Sequence, residues 1–337
     1  MGAVGSGCPQ PVPDGILEID RPSMEDTMPK LAARTSATTR SGSAATRPGW
    51  LKRLTGRESY VAFWFLLPAL AMLVLLRLWP LGGAIATSTQ ASGLGKTGFV
   101  GMDNYVRILQ DATFLNALKV TLLFTVLVNP FQIVLALLFA VLLVQKIPAV
   151  GLWRSIIFLP AAVPQSVSAV IWGIVFRPDG PMNGALKVLG IPQQPFLTSP
   201  SQALLSIIVI VSWVGVGFWM MFLIAGLKDI PAELYEAAEV DGAGSLRKFF
   251  SVTIPQLRRP LLFVLVADTV ANFLVFAPVQ ILTKGGPTGS TDLVMVEIFN
   301  KAFTTGDLAG ATAGTVLLVL VVLAVVTAQF RLLPGRD

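Results

Sequence analysis

Long apolar runs separated by short polar stretches dominate the chain from about residue 60 onward. Six runs are predicted, at about 60–87, 120–144, 155–176, 203–227, 260–282 and 309–333. Each is close to or above the length of about 20 residues that a helix needs to cross a bilayer. Because hydrocarbon cannot satisfy a bare backbone, such runs must be helical. The pattern therefore predicts an all-α membrane protein with about six transmembrane helices.

Two parts of the chain depart from this alternation. Residues 1–58 are rich in Ser, Thr, Gly, Pro and charge, without apolar periodicity, and are expected to form a disordered cytoplasmic tail. They lack the apolar core of a signal peptide, and Met24 or Met28 could be the true start as readily as Met1. The third apolar run contains Pro160 and Pro164, which predict a kinked helix.

Composition independently requires a membrane and narrows the possible chemistry. The chain is 54% hydrophobic and 13% charged, with a mean hydropathy of +0.72, whereas soluble domains are about 25% charged. It has no histidine and one cysteine, Cys8, which excludes a Ser-His-Asp triad, a His-ligated metal and an internal disulfide. No G-x-x-x-x-G-K-[ST] motif is present, so we expect no ATP hydrolysis by this chain.

The basic residues predict an orientation. The net charge of +6 fits the cytoplasmic flanks of membrane helices better than nucleic-acid binding. Lys and Arg are more frequent beside one set of helix ends, which includes the polar segment at 229–259. That side should be cytoplasmic, because cytoplasmic loops carry an excess of Lys and Arg. Both termini are then expected in the cytoplasm.

The segment at 229–259 carries an ordered pattern of small, acidic and aliphatic residues. Glu-Ala-Ala is followed three residues later by Gly, and then by two aliphatic residues and Pro. The matching positions are Glu236, Ala237, Ala238, Gly242, Val252, Ile254 and Pro255. The segment is polar and charged, yet it lies between two long apolar runs. It is therefore expected to be a contact surface at the membrane boundary.

Local signals in this segment predict a helix-turn-helix hairpin. Pro231 and Glu233 suit the first turn of a helix. Gly242 suits a turn with positive φ. Asp241 is expected to cap or brace the second helix, which should end before Pro255.

The segment resembles the "EAA" loop of the membrane subunits of bacterial ABC importers. Three other stretches match that family in the same order: FVGMDNYVRILQDATFLNALKVTLLFT, WGIVFRPDGPMNGALKVLGI and LTKGGPTGSTDLVMVEIFNKAF. The last two are most similar to the carbohydrate, maltose-permease-like branch. Gly244, Lys284 and Phe299 replace residues that are commoner in the family. The resemblance covers most of the chain from about residue 60, and it implies the type I importer permease fold over 59–333.

The resemblance implies the permease subunit of an ATP-driven, binding-protein-dependent importer of a sugar or oligosaccharide in the bacterial cell membrane. It implies a sister permease, expected to be a different protein, an ABC ATPase dimer that uses ATP and Mg²⁺, and an extracytoplasmic solute-binding protein. This chain itself would bind no cofactor, no metal and no nucleic acid. The EAA loop would couple ATPase closure to alternating access. The residues implied in that coupling are Glu236, Ala237, Ala238, Asp241, Gly242, Phe249 and Pro255.

Polar side chains inside apolar runs are candidates for the substrate pathway, because burying them in a membrane is costly. The candidates are Asn129, Gln132, Gln165, Asp268 and Asn272, with Trp172 as an aromatic platform for a sugar. Asn129 and Gln132 share one helical face, as do Asp268 and Asn272, because they are three and four residues apart. The alternative is that these side chains join helices to one another.

Two further functions stay open at this point. A glycerol-phosphate-type ABC permease is a close variant, although few basic residues lie inside the apolar runs. A stand-alone ion-coupled secondary transporter would require an inverted repeat and more ionisable residues near the bilayer midplane, where Asp268 alone gives little support. A membrane enzyme is disfavoured by the missing histidine. The sequence identifies neither the solute nor the sister permease.

Overall fold

The computed structural model describes residues 57–91 and 98–332 of the chain. Within these residues the structure is helical, and β pairing is limited to one isolated bridge between Gln90 and Phe99. Residues 1–56 of the predicted tail lie outside the described residues. Its last two residues, Arg57 and Glu58, belong to the first helix. The chain divides into two units, Met1–Trp64 and Phe65–Asp337, and the helical core lies in the second unit.

The described residues form fifteen α-helices, joined by short loops and by 3₁₀- and π-helical turns. In chain order they are α1 Arg57–Leu73, α2 Trp79–Ser88, α3 Asp103–Gln110, α4 Ala112–Val144, α5 Val150–Phe158, α6 Gln165–Val175, α7 Pro181–Val188, α8 Ala203–Lys228, α9 Ala232–Val240, α10 Ser245–Lys248, α11 Ile254–Gln256, α12 Arg258–Phe273, α13 Ala277–Leu282, α14 Val294–Phe299 and α15 Leu308–Leu332. The π-helical turns lie at Val74–Leu78, Phe249–Thr253 and Asn300–Thr304.

Five helical stretches in the described residues are long and apolar enough to cross a membrane. They are Phe63–Ser88, Ala112–Val144, Ala203–Lys228, Arg258–Leu282 and Leu308–Leu332. A sixth span results if the bent pair Val150–Ala162 and Gln165–Val175 is counted as one. The prediction of an all-α protein with about six transmembrane helices is therefore confirmed, and the protein is a multi-pass membrane protein.

The third predicted span differs most from its expectation of a kinked helix. Its two halves meet at an angle of 100° instead of forming one helix. Pro160 lies in a 3₁₀-helical turn, and Pro164 is the N-cap of α6. Val163, between them, is extended with φ −86° and ψ 127°, because the ring of a following proline disfavours the helical region. The two prolines therefore break the helix rather than only bend it.

The core of the second unit forms where α4 packs along α8, with α12 beside both. Small residues bring the helices close together, as is typical of packing in membranes. Ala136 and Ala140 of α4 are completely buried. Gly217 of α8 lies directly against the backbone carbonyl of Ile157, so that a Cβ at this position would overlap it. This close packing fixes the helices that carry most of the polar candidates.

Ion pairs join the short helices that lie next to α4 and α15. Arg107 of α3 and Asp307 are 3.0 Å apart. Lys301 lies between two carboxylates, 2.5 Å from Asp111 and 3.2 Å from Glu297. Lys301 and Glu297 are mostly buried, which makes this pair less screened by solvent than a surface pair. The pairs connect the beginning of α4 to the segment between α14 and α15.

Candidate functional site

The segment between α8 and α12 forms the predicted hairpin from α9 and α10. Gly242 makes the turn with φ +74°, in the left-handed region that glycine adopts most readily. The N–H of Gly242 donates to the carbonyl of Glu239 at 2.9 Å, and the N–H of Ala243 donates to the carbonyl of Ala238 at 2.8 Å. These two bonds form a Schellman motif, which satisfies the last carbonyls of α9. The predicted turn with positive φ at Gly242 is therefore confirmed.

Two details of the predicted hairpin are wrong. Asp241 is the C-cap of α9, and Gly244 precedes α10 without any side-chain cap. The second helix does not end before Pro255 either, since α10 continues through the π-helical turn at Phe249–Thr253 into α11. Pro255 lies just after the π-helical turn, inside this continuous helical stretch.

Most of the predicted coupling residues are accessible on the hairpin. Glu236, Ala237, Asp241 and Gly242 are exposed, whereas Ala238, Phe249 and Pro255 are half-buried. Three large apolar side chains are exposed beside them: Val240 at 89%, Leu246 at 77% and Phe250 at 67%. Exposed apolar side chains among charged ones are candidates for contact with a partner protein. The predicted coupling residues do not include Val240 and Leu246. Their apolar character in an otherwise polar segment is the sequence feature that could have identified them.

Polar side chains from α4, α8, α12 and α15 form one buried cluster. Its members are Asn129, Gln132, Trp219, Asp268, Thr269, Asn272 and Gln329. Asn272 Nδ2 donates to Asn129 Oδ1 at 2.8 Å, and Asn129 Nδ2 donates to Thr269 Oγ1 at 2.6 Å. Gln329 Nε2 of α15 donates to the same Thr269 Oγ1 at 2.8 Å. The cluster thus ties α12 to both α4 and α15.

The Asp268 carboxylate is held in this cluster by neutral donors. Trp219 Nε1 of α8 donates to Asp268 Oδ1 at 2.6 Å. The amide of Gln132, oriented with its nitrogen toward the carboxylate, donates to the same oxygen at 2.6 Å. Asp268 is 1% exposed, and within the described part of the chain it forms no ion pair. A buried charge group requires such hydrogen bonds, because its lost hydration must be replaced.

This arrangement brings together four of the predicted pathway residues. Asn129, Gln132, Asp268 and Asn272 are each at most 4% exposed, and they bond to one another or to neighbouring helices. The geometry is the one expected of polar side chains that join helices. Contact of these four side chains with substrate stays a prediction. As their spacing predicts, Asn129 and Gln132 lie on one face of α4, and Asp268 and Asn272 lie on one face of α12.

An aromatic-lined cavity of about 390 Å³ lies beside the cluster, between α4, the bent pair and α8. Phe131, Phe139, Trp172 and Trp213 contribute to its wall, and Ser212 also lines it. Trp172 packs edge-on against Trp213, with ring centroids 5.8 Å apart. The buried Nε1 of Trp172 has no hydrogen-bond partner. This cavity can receive a ligand with both apolar faces and hydrogen-bonding edges.

The cavity includes one predicted pathway residue and adds several that were not predicted. Trp172 lines it, whereas Gln165 is exposed at the start of α6 and does not. Phe131, Leu135 and Phe139 lie four residues apart, so they form one face of α4. That spacing is a signal that was present in the sequence. Ser212 was not identifiable in this way, because its position depends on how α8 packs.

The sequence profile of one protein family matches residues 132–336 of the chain, and that family is described as the binding-protein-dependent transport system inner membrane component. The chain is also 33% identical over 274 residues to the sn-glycerol-3-phosphate transport system permease protein UgpA of Agrobacterium fabrum, covering 80% of this chain and 93% of that protein. The UgpA of Rhizobium meliloti is 30% identical over 291 residues, which is 85% of this chain and 99% of that protein.

Among solved structures, the chain is similar to one from a bacterial ABC transporter involved in the import of the acidic polysaccharide alginate. The TM-score is 0.73 at 22% identity, covering 84% of this chain and 97% of that one. A second structure, of a bacterial alginate ABC transporter in complex with an alginate pentasaccharide-bound periplasmic protein, gives a TM-score of 0.73, also at 22% identity. It covers 84% of this chain and 96% of the other. This likeness confirms the fold, which is the type I importer permease fold.

Proposed function

Since this chain belongs to the family of binding-protein-dependent transport system inner membrane components, we propose that it is the permease subunit through which an ATP-driven importer moves a sugar or oligosaccharide across the bacterial cell membrane. The chain is a permease, and the stand-alone ion-coupled transporter has no support in this family. The proposed partners are a different sister permease, an ABC ATPase dimer and an extracytoplasmic solute-binding protein. One of the similar structures, that of an alginate ABC transporter, is a complex with such a periplasmic protein.

The exposed hairpin of α9 and α10 is the observation that carries the coupling role. It connects two helices of the core, α8 and α12. It presents Glu236 together with the apolar side chains Val240, Leu246 and Phe250. A partner that binds the exposed side of the hairpin can therefore displace α8 and α12 together. ATP and Mg²⁺ belong to that partner in this account, and this chain acts without catalysing a reaction of its own.

The cavity beside the cluster supports a neutral, polyhydroxylated substrate. Its wall is mainly aromatic and aliphatic, and none of its lining residues is Lys, Arg, Asp or Glu. Ring faces of a sugar are apolar enough to pack on Trp172 and Trp213, while its hydroxyls can bond to polar edges such as Ser212. Ligand sites commonly combine an apolar wall with a few such polar groups.

A second candidate substrate is sn-glycerol-3-phosphate, which the names of the relatives favour at 30–33% identity. A phosphate is normally held by Arg or Lys, or by clustered backbone N–H groups. The cavity offers no basic side chain in its wall. Cations contributed by a sister permease would be required if this chain transports a phosphate.

The test is uptake by the complete transporter in proteoliposomes, with ATP inside and the binding protein outside. ATP-dependent uptake of a neutral oligosaccharide is the expected result, and Trp172→Ala should reduce it by about tenfold, as for loss of a large aromatic contact. Trp153→Ala is the matched control, because Trp153 is exposed on α5 and does not line the cavity. Uptake of sn-glycerol-3-phosphate alone would contradict the sugar proposal and establish the second candidate.

A further inference from the structure

The regular α-helical path from the hairpin to α12 is interrupted at two places, although the backbone stays helical throughout. After α10, the π-helical turn at Phe249–Thr253 changes the backbone hydrogen-bond spacing from four residues to five. The N–H of Ile254 donates to the carbonyl of Phe249. The three-residue α11 follows, and Leu257 separates it from α12. Irregular turns inside a helix often mark hinges or functional sites. A displacement of α9 would therefore be absorbed along this path unless another contact bypasses it.

One side-chain hydrogen bond does bypass the interrupted path. The hydroxyl of Tyr235 on α9 and the hydroxyl of Thr253 are 3.0 Å apart, across 18 residues of sequence. Thr253 is the last residue of the π-helical turn and is 6% exposed, while Tyr235 is half-buried. The bond thus joins the helix that carries Glu236 directly to the far side of the π-helical turn.

Beyond Thr253 the chain is anchored in the core. The carbonyl of Thr253 accepts a hydrogen bond from the N–H of Leu257 at 3.0 Å. The side chain of Leu257 is completely buried. An added Cβ on Gly226 of α8 would lie 3.2 Å from Leu257 and 2.7 Å from Pro260. Leu257 and the start of α12 are therefore packed tightly against α8.

We propose that Tyr235 and Thr253 form a strut that makes the hairpin and the beginning of α12 move as one body. This inference rests on the proposed function of the hairpin as the ATPase contact. Tyr235 and Thr253 act as positioning residues, because they set how much of the hairpin's displacement reaches α12. The pair of Glu239 and Lys248, 2.5 Å apart, joins only the two helices of the hairpin and cannot replace the strut.

The test removes each hydroxyl while keeping the shape of the side chain, with Tyr235→Phe and Thr253→Val in the complete transporter. The ATPase should copurify as with the wild type, and the solute imported per ATP hydrolysed should fall about fivefold, as for loss of one neutral hydrogen bond. The double variant should be no worse than either single variant, because both remove the same interaction. Thr253→Ser, which keeps the hydroxyl, should retain most of the wild-type coupling.

The matched control is Ser251→Ala in the same segment. The Ser251 hydroxyl is exposed and donates to the carbonyl of Arg247, so its loss should leave coupling unchanged. Wild-type coupling in Tyr235→Phe and Thr253→Val, or a double variant in which the two losses multiply, would overturn the strut alone. A wild-type chain that holds no ATPase would overturn the proposed function and the strut with it.

Discussion

Asp268 shows which part of a residue's surroundings can be predicted from sequence. Its spacing from Asn272 places both on one face of α12, and both are buried in the polar cluster. The sequence could not predict that Trp219 donates to Asp268, because that contact depends on the packing of α8 against α12. The structure places helix-joining hydrogen bonds at Asp268, and contact of this side chain with substrate stays a prediction.

Asp292 makes the stability of the loop before α14 depend on pH. Burial, with the charge of Glu297 adding to it, raises the pKa of Asp292 from 3.8 to about 7. The unfolded chain releases this proton near the lower value, and the folded chain keeps it up to the higher one. The contribution of Asp292 to stability is therefore full below pH 3.8, and it is lost as the pH rises from there through about 7.

Asp292→Asn removes this dependence, because an amide cannot ionise. The variant should be more stable than the wild type at about pH 8, and this advantage should shrink toward about pH 4, since one pKa unit corresponds to about 1.4 kcal/mol. Thermal unfolding in detergent across that range measures the difference. The same advantage at every pH would show that Asp292 does not carry the raised pKa.

At the scale of elements, the sequence predicts the helices better than the joints between them. The spans near 203–227 and 309–333 agree closely with Ala203–Lys228 and Leu308–Leu332, because uninterrupted apolar runs have definite ends. The π-helical turn at Phe249–Thr253 was not predictable, since a shift from four- to five-residue hydrogen bonds leaves no mark in an apolar pattern. Nor do two prolines reveal whether they bend a helix or break it.

The turn of the hairpin permits a controlled test of its geometry. Gly242 has φ +74° and Gly244 has φ −68°, and an added Cβ would meet nothing within 4 Å at either position. Gly242→Ala should therefore weaken ATPase binding about fivefold, because a left-handed alanine costs about 1 kcal/mol. Gly244→Ala should bind normally. Equal effects of the two variants, measured by ATPase titration, would show that the left-handed turn is not required.

At the scale of the whole molecule, membership in a permease family and the exposed hairpin give a consistent account. The polar cluster joins four helices, and the hairpin emerges between two of them, α8 and α12. A force on the hairpin thus acts on helices that are already tied together. The sequence motif locates this surface because Glu236, Ala237 and Ala238 are close in sequence. The identity of the solute is not encoded in any comparably local pattern.

The measurement that tests the central claim most directly is copurification of the ATPase with charge-reversal variants of α9. Glu236→Lys and Glu233→Lys change the same charge on the same exposed helix, but only Glu236 belongs to the Glu-Ala-Ala pattern. Glu236→Lys should insert into the membrane normally and lose the ATPase, while Glu233→Lys should retain it. Full ATPase recovery and full uptake with Glu236→Lys would contradict the account that the hairpin couples ATP use to transport.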